Sequence, residues 1–236
     1  FGSIFSSSKP SPEIIDAVLQ RVHPKVSRRM NDSLLRTYST SEVTQALNQM
    51  HPFKSPGPDG MSPIFYQKFW HIVSQDVVKC VLEFLNNGHF DNQLNFTYIV
   101  LIPKCQCPSN ITQFRPISLC NVIYRLASKV IANRLNKVLS VILSPFQSAF
   151  LPGRLITDNI LIAYEVNHSL KSKSAGREGS MSIKLDMSKA FDRVEWPFLK
   201  GMMLALGFHP LFVDLISSCF STVSYSFQLN GVQFGY

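Results

Sequence analysis

The apolar residues of this chain change their spacing partway along, and that change limits the folds open to it. From Val43 to Leu85, and again from Val122 to Ile142, they recur at the three- to four-residue spacing of helices with one buried face. Between Met181 and Met187 the period drops to two: Met181, Ile183, Leu185 and Met187 alternate with Ser182, Lys184, Asp186 and Ser188. Such alternation predicts a half-buried strand with Asp186 on its polar face. With 45% hydrophobic and 16% charged residues among 236, there is apolar material for one large domain or two small ones.

Local signals divide the chain further. Residues 1–38 begin rich in Ser and Pro and turn mildly amphipathic (Ile14, Ile15, Val18, Leu19), which predicts a linker with one or two loosely docked helices. Ser39 and Glu42 form a capping-box pattern ahead of Val43, Ala46, Leu47 and Met50. Ser55-Pro-Gly-Pro-Asp-Gly60 is a dense turn signal, and Ser62-Pro63 supplies an N-cap with Pro at the first helical position. Two amphipathic helices follow, one with Ile64, Phe65, Phe69 and Ile72, the next with Val77, Val78, Val81, Leu82 and Leu85, closed by Gly88. Phe96 to Pro103 has strand composition, and Asn121 can cap a long helix carrying Val122, Ile123, Leu126, Val130, Ile131, Val138 and Ile142, with Pro145 beyond it. A helix from Thr157 to about Lys171 and a loop to Ser180 precede the alternating stretch. Two short helices, from Trp196-Pro197 to near Gly207 and from Pro210 to Phe220, lead to Asn230-Gly231, a tight hairpin signal between apolar alternations.

Charge is unevenly spread. The net charge is +8, and from Asn92 to Thr157 there is no Asp or Glu, while Lys104, Arg115, Arg125, Lys129, Arg134, Lys137 and Arg154 fall in that stretch. Two readings fit: a surface that attracts phosphate, or a solvated face that maintains solubility. The five scattered cysteines suit free thiols in a reducing compartment, and Cys105-Gln-Cys107 lacks the second Cys or His pair of a zinc site. No apolar run approaches the roughly 18 residues of a membrane helix. The first residues carry neither an initiator Met nor a signal-peptide pattern, so the N-terminus reads as internal to a longer polypeptide.

Nucleotide addition needs two divalent metals about 3.5–4 Å apart, held by carboxylates, and cations around the triphosphate. Asp186, at the end of a predicted strand before Ala190-Phe191-Asp192, suits a metal ligand. Taken alone, an Asp that ends a strand is more often a turn former or helix cap.

Several segments in order say more. Tyr98-Ile-Val-Leu-Ile-Pro-Lys104, Phe114-Arg-Pro-Ile-Ser-Leu119, Gln147-Ser-Ala-Phe-Leu-Pro-Gly-Arg154 with Asp158-Asn-Ile160, and Leu185-Asp-Met-Ser-Lys-Ala-Phe-Asp192 closely resemble a reverse transcriptase of the non-LTR (LINE-type) retrotransposon class, nearest those abundant in plant genomes. The resemblance extends upstream to His51-Pro-Phe-Lys-Ser-Pro-Gly-Pro-Asp-Gly60 and covers most of residues 39–236.

It implies an α+β right-hand polymerase fold: a helical N-terminal extension (39–92), fingers (93–180) and a partial palm (181–236). The implied function is RNA-directed DNA synthesis with Mg2+, an RNA template, a DNA primer and deoxynucleoside triphosphates, in the nucleus or cytosol and without a membrane. By the same resemblance, Asp186 is the catalytic, metal-binding carboxylate of motif A, with the Met187 carbonyl as a further metal ligand. Phe191 lies beneath the incoming sugar, and Lys104 and Arg115 touch the triphosphate. Without the match, Phe191 would be a core residue and the two cations ordinary surface charges. The sequence also departs from the family pattern: the Gly-Asp-Pro motif B and the Asp-Asp hairpin that supplies two further carboxylates are missing, as is a preceding endonuclease, and no Asp-Asp dipeptide occurs. The expectation is therefore a fragment without polymerase activity of its own. The competing class is a non-catalytic remnant of a retroelement that binds nucleic acid or protein. Nothing in the sequence sets an oligomeric state.

Overall fold

Helices form where caps and apolar faces coincide, and strands where β-branched and aromatic residues run uninterrupted. The computed structural model describes residues 6–88, 91–149, 151, 153–172, 179–187 and 189–235. Among these the helices are α1 (Pro12–Leu19), α2 (Arg28–Leu35), α3 (Thr40–Asn48), α4 (Pro63–Lys68), α5 (Trp70–Asn87), α6 (Val122–Ile142), α7 (Ile156–Ser172), α8 (Trp196–Ala205) and α9 (Pro210–Ser221). The strands are β1 (Phe96–Pro103), β2 (Phe114–Cys120), β3 (Ser224–Leu229) and β4 (Val232–Phe234). The molecule is thus a mixed α+β fold with one small sheet, as expected at that level. Among the described residues no helix is long and apolar enough to cross a membrane.

The punctuation read from sequence operates as chemistry dictates. Glu42 Oε2 accepts the Ser39 backbone N–H at 3.0 Å at the start of α3, Pro63 opens α4 and Gly88 closes α5 in the left-handed conformation. Asn230 and Gly231 both take positive φ (50° and 80°) between β3 and β4, the geometry a two-residue hairpin needs.

The chain divides into two compact units, residues 1–30 with 136–208, and residues 31–135 with 209–236, the breaks falling within α2, within α6 and just before α9.

In the second unit the sheet has order β2-β1-β3-β4. β1 pairs antiparallel with β2, which sequence reading left unassigned, and parallel with β3, more than 120 residues away. The hairpin at 224–234 therefore shares a sheet with residues 96–120. The core comes from α3 (Val43, Ala46, Leu47), α5 (Val77, Val81, Phe84, Leu85), the first part of α6 (Val122, Leu126, Ala127, Val130, Ile131) and α9 (Phe212, Val213). Phe69 and Ile72, expected on an apolar face, are exposed. Residues 31–38 are firmly held: Leu34 and Tyr38 are buried, and Arg134 grips the carbonyls between them.

In the first unit α1 packs on α8, where a Cβ at Gly201 would come within 2.6 Å of Leu19 Cδ1. Lys25 and Val26 both donate their backbone N–H to Leu206 O, at 2.9 and 3.0 Å. α1 and the residues at 25 and 26 are thus held to this unit by side-chain packing and backbone hydrogen bonds.

α7 forms where predicted, and none of its residues is buried. One expectation fails here. Residues 181–187 form no strand: all are exposed, Leu185 at 88%. Alternation specifies which side chains share a face, but a strand persists only with a neighbour for its N–H and C=O groups, and among the described residues none pairs with this one. The loop expected before Ser180 lies largely outside the described residues, as does Ser188.

Candidate functional site

The β1–β2 hairpin gathers two of the predicted site residues. In its register Ile102 faces Arg115 and Pro103 faces Phe114, so the next residue after β1 is Lys104, at the loop end of the hairpin. Lys104 extends the ladder by donating its N–H to Gln113 O at 2.8 Å, and its Nζ donates to Thr112 O at 3.1 Å. The connecting loop is organised by Asn110 and Gln113: Asn110 Oδ1 accepts from Thr112 N–H at 3.0 Å, and Gln113 Oε1 accepts from the N–H groups of Ser109 (2.7 Å) and Asn110 (3.1 Å). Lys104 and Arg115 are both exposed, and among the described residues neither has an ion-pair partner. An ammonium and a guanidinium at one hairpin end, far in sequence from any acid, can receive a polyanion such as a nucleotide phosphate.

The rest of the acid-free stretch is less available than its composition implied. Arg134 is buried, 5% exposed, in an ion pair with Glu42 at 2.7 Å. Its remaining N–H groups serve the carbonyls of Leu34, Arg36 and Thr37, and its guanidinium lies 3.5 Å from the centre of the Tyr38 ring. Hydrogen bonds from Arg134 hold the Glu42 carboxyl down at about 2, and burial pushes the Tyr38 phenol up to about 12. Arg125 donates to Ser55 O at 2.7 Å, and Arg154 to Ser144 O at 2.6 Å and to Gln147 O. Four of the seven cations, Lys104, Arg125, Arg134 and Arg154, are therefore engaged with carbonyl groups; of these only Lys104 is an exposed ammonium with further donors to offer, and the phosphate-facing reading rests on it with Arg115, Lys129 and Lys137.

One junction positions this hairpin, and sequence reading missed it. At the end of β2, Asn121 donates from Nδ2 to Leu94 O (3.1 Å), before β1, and accepts the Asp59 N–H at Oδ1 (3.3 Å). Gly57 sits so close that a Cβ there would lie 2.5 Å from the Asn121 backbone nitrogen and 2.6 Å from its Cα. The Ser55–Gly60 turn is thereby locked to the start of α6. The detectable signal was a glycine between two prolines, where the backbone is rigid and only the side chain is missing.

Asp186, Met187 and Phe191 belong to the other unit. Asp186 is exposed in the irregular segment 181–187, followed by a turn in which Lys189 O accepts the Asp192 N–H at 3.1 Å. Phe191 opens the short 3-10 turn Phe191–Arg193 and is 78% exposed, so the core role it would have had without the motif is ruled out. Glu195, nearby in sequence, is occupied by the hydroxyls of Ser7 (2.7 Å) and Ser8 (2.9 Å), which lower its pKa. Among the described residues no three His, Cys, Asp or Glu side chains gather where they could hold a metal ion. A cavity of about 430 Å3 in the second unit, lined by residues including Leu35, Tyr38, Asn87, Leu211 and Leu215, contains none of the predicted site residues.

Residues 102–236 match the family described as reverse transcriptase (RNA-dependent DNA polymerase). The chain is 31% identical over 232 residues to the transposon TX1 uncharacterized 149 kDa protein of Xenopus laevis, covering 98% of this chain and 17% of that protein. It is 28% identical over 193 residues to the retrovirus-related Pol polyprotein from type-2 retrotransposable element R2DM of Drosophila melanogaster, 81% of this chain and 18% of that one. A Pol polyprotein from type-1 retrotransposable element R2 of Bradysia coprophila is 28% identical over 181 residues, 75% of this chain and 20% of the relative. The chain thus spans about a fifth or less of the relatives it matches.

Proposed function

We propose, from the premise that this chain belongs to the reverse transcriptase (RNA-dependent DNA polymerase) family and is of the non-LTR retrotransposon type, that it supplies the nucleotide- and template-gripping part of an RNA-templated DNA polymerase. The hairpin of β1 and β2 acts as the fingers, with Lys104 and Arg115 receiving the triphosphate of a deoxynucleotide and neighbouring phosphates of an RNA template and DNA primer. The observation that carries this is their placement at one end of a braced hairpin in a stretch without acids. Asp186 and Phe191 take the motif A roles at the start of the palm, Asp186 as a metal-binding carboxylate with the Met187 carbonyl beside it, and Phe191 against the incoming sugar.

Polymerases of this family generally use divalent metal ions, Mg2+ in this reading. The described residues do not fit a metal pair: one exposed carboxylate cannot offset the repulsion of two doubly charged ions roughly 4 Å apart. No catalytic step is assigned to this chain on its own residues. The same observation favours a second reading, a retroelement segment that binds nucleic acid without turnover.

Primer extension separates the two. The 236-residue chain should bind a primer–template, with affinity falling steeply as salt rises because bound phosphates release counterions. It should extend no primer, whereas a longer polypeptide that adds an Asp-Asp motif should do so and lose activity on Asp186→Asn. Salt-independent binding would remove the phosphate reading, and extension by the chain itself would show that the catalytic carboxylates are misplaced.

A further inference from the structure

We infer that Cys105 and Cys107 form a redox-active dithiol, which a low-molecular-weight disulfide such as glutathione disulfide converts to an intraloop disulfide. The inference is independent of the role proposed for Lys104.

Both thiols are free and exposed on the β1–β2 loop, in the bend spanning residues 104–107. The other three cysteines, Cys80, Cys120 and Cys219, are less accessible, and burial raises the thiol pKa of Cys80 and Cys219, the latter to about 12. Two residues apart, the Cα atoms of Cys105 and Cys107 cannot be more than about 7 Å from each other. A bend brings such a pair within the roughly 4.4–6.8 Å that a disulfide spans. The flanks of the bend are tied down: Lys104 N–H donates to Gln113 O at 2.8 Å, and Asn110 and Gln113 brace the far side.

The exchange balances without another reactant. One cysteine thiolate attacks a sulfur of glutathione disulfide, forming a mixed disulfide and releasing one glutathione thiolate. The second cysteine, deprotonated, displaces the other glutathione. Two protein thiols and one glutathione disulfide become one protein disulfide and two reduced glutathiones. A small exposed ring of this kind is the labile type of disulfide, opened again by excess thiol.

The test uses the full chain equilibrated with glutathione buffers of stepped reduced-to-oxidised ratio, quenched by alkylation and read by intact mass and peptide mapping. The expected result is a monomer that loses two hydrogens at once, with the bond mapped between Cys105 and Cys107 and reversed by reduced glutathione. Cys105→Ser and Cys107→Ser should each stop at one bound glutathione. The proposal is overturned if the wild-type chain also stops at a mixed disulfide, if the bond involves Cys80, Cys120 or Cys219, or if a covalent dimer forms instead. It is equally overturned if the double variant Cys105→Ser/Cys107→Ser still loses two hydrogens.

Discussion

Replacing Arg134 by Met removes a guanidinium whose five N–H donors all have acceptors. Nε and Nη2 bind Glu42 at 2.7 and 2.9 Å, Nη1 serves Leu34 O (2.9 Å) and Arg36 O, and Nη2 also serves Thr37 O (3.0 Å). Met matches the buried stem but none of these donors. Breaking a buried ion pair from one side costs about 3–5 kcal/mol because the other charge is left uncompensated. The Glu42 side chain is 21% exposed and can be partly rehydrated, which places the cost near the lower end, about 3 kcal/mol. With a urea slope of about 1–3 kcal/mol/M, the unfolding midpoint should fall by about 1 M or more at unchanged slope. Glu42→Gln supplies the pH test. The folded-state pKa is depressed to about 2 from 4.5, so the pair contributes fully above 4.5 and its contribution is lost as pH falls toward 2. The stability gap between wild type and Glu42→Gln should therefore close over that window. Arg134→Met costing under about 1 kcal/mol, or a gap that does not change with pH, would refute the claim that this pair ties residues 34–42 to α6.

Gly57→Ala should destabilise by about 1–3 kcal/mol in urea unfolding, because a Cβ meets the Asn121 backbone, which cannot yield as a side-chain tip would. Gly60→Ala, where nothing lies within 4 Å but φ is +71°, should cost only the left-handed penalty of about 1–2 kcal/mol. Lys104→Ala with Arg115→Ala should lower the slope of log affinity against log salt by about 2 in primer–template binding, and an unchanged slope would mean that neither meets phosphate. In the longer, active polypeptide, Phe191→Val should increase ribonucleotide use relative to deoxynucleotides, and an unaltered preference in competition assays would remove Phe191 from the sugar pocket.

Short-range chemistry made much of this protein legible from sequence. A capping Glu42, a helix-opening Pro63, a left-handed Gly88 and the Asn230-Gly231 turn each act through bonds and torsions within a few residues, so their meaning does not depend on the rest of the chain. The recognition of a retroelement reverse transcriptase stood on ordered motifs for the same reason: each is a local string. What the tertiary structure decided is where long-range partners exist. Composition could not tell that Arg134 would be buried against Glu42 while Arg115 stayed exposed, because both are cations in the same acid-free stretch. The parallel pairing of β1 with β3 needed a partner more than 120 residues away, which no local period encodes. Alternation at 181–187 showed which side chains would share a face, but a strand's hydrogen bonds lie on its neighbour, and the described residues provide that segment with none.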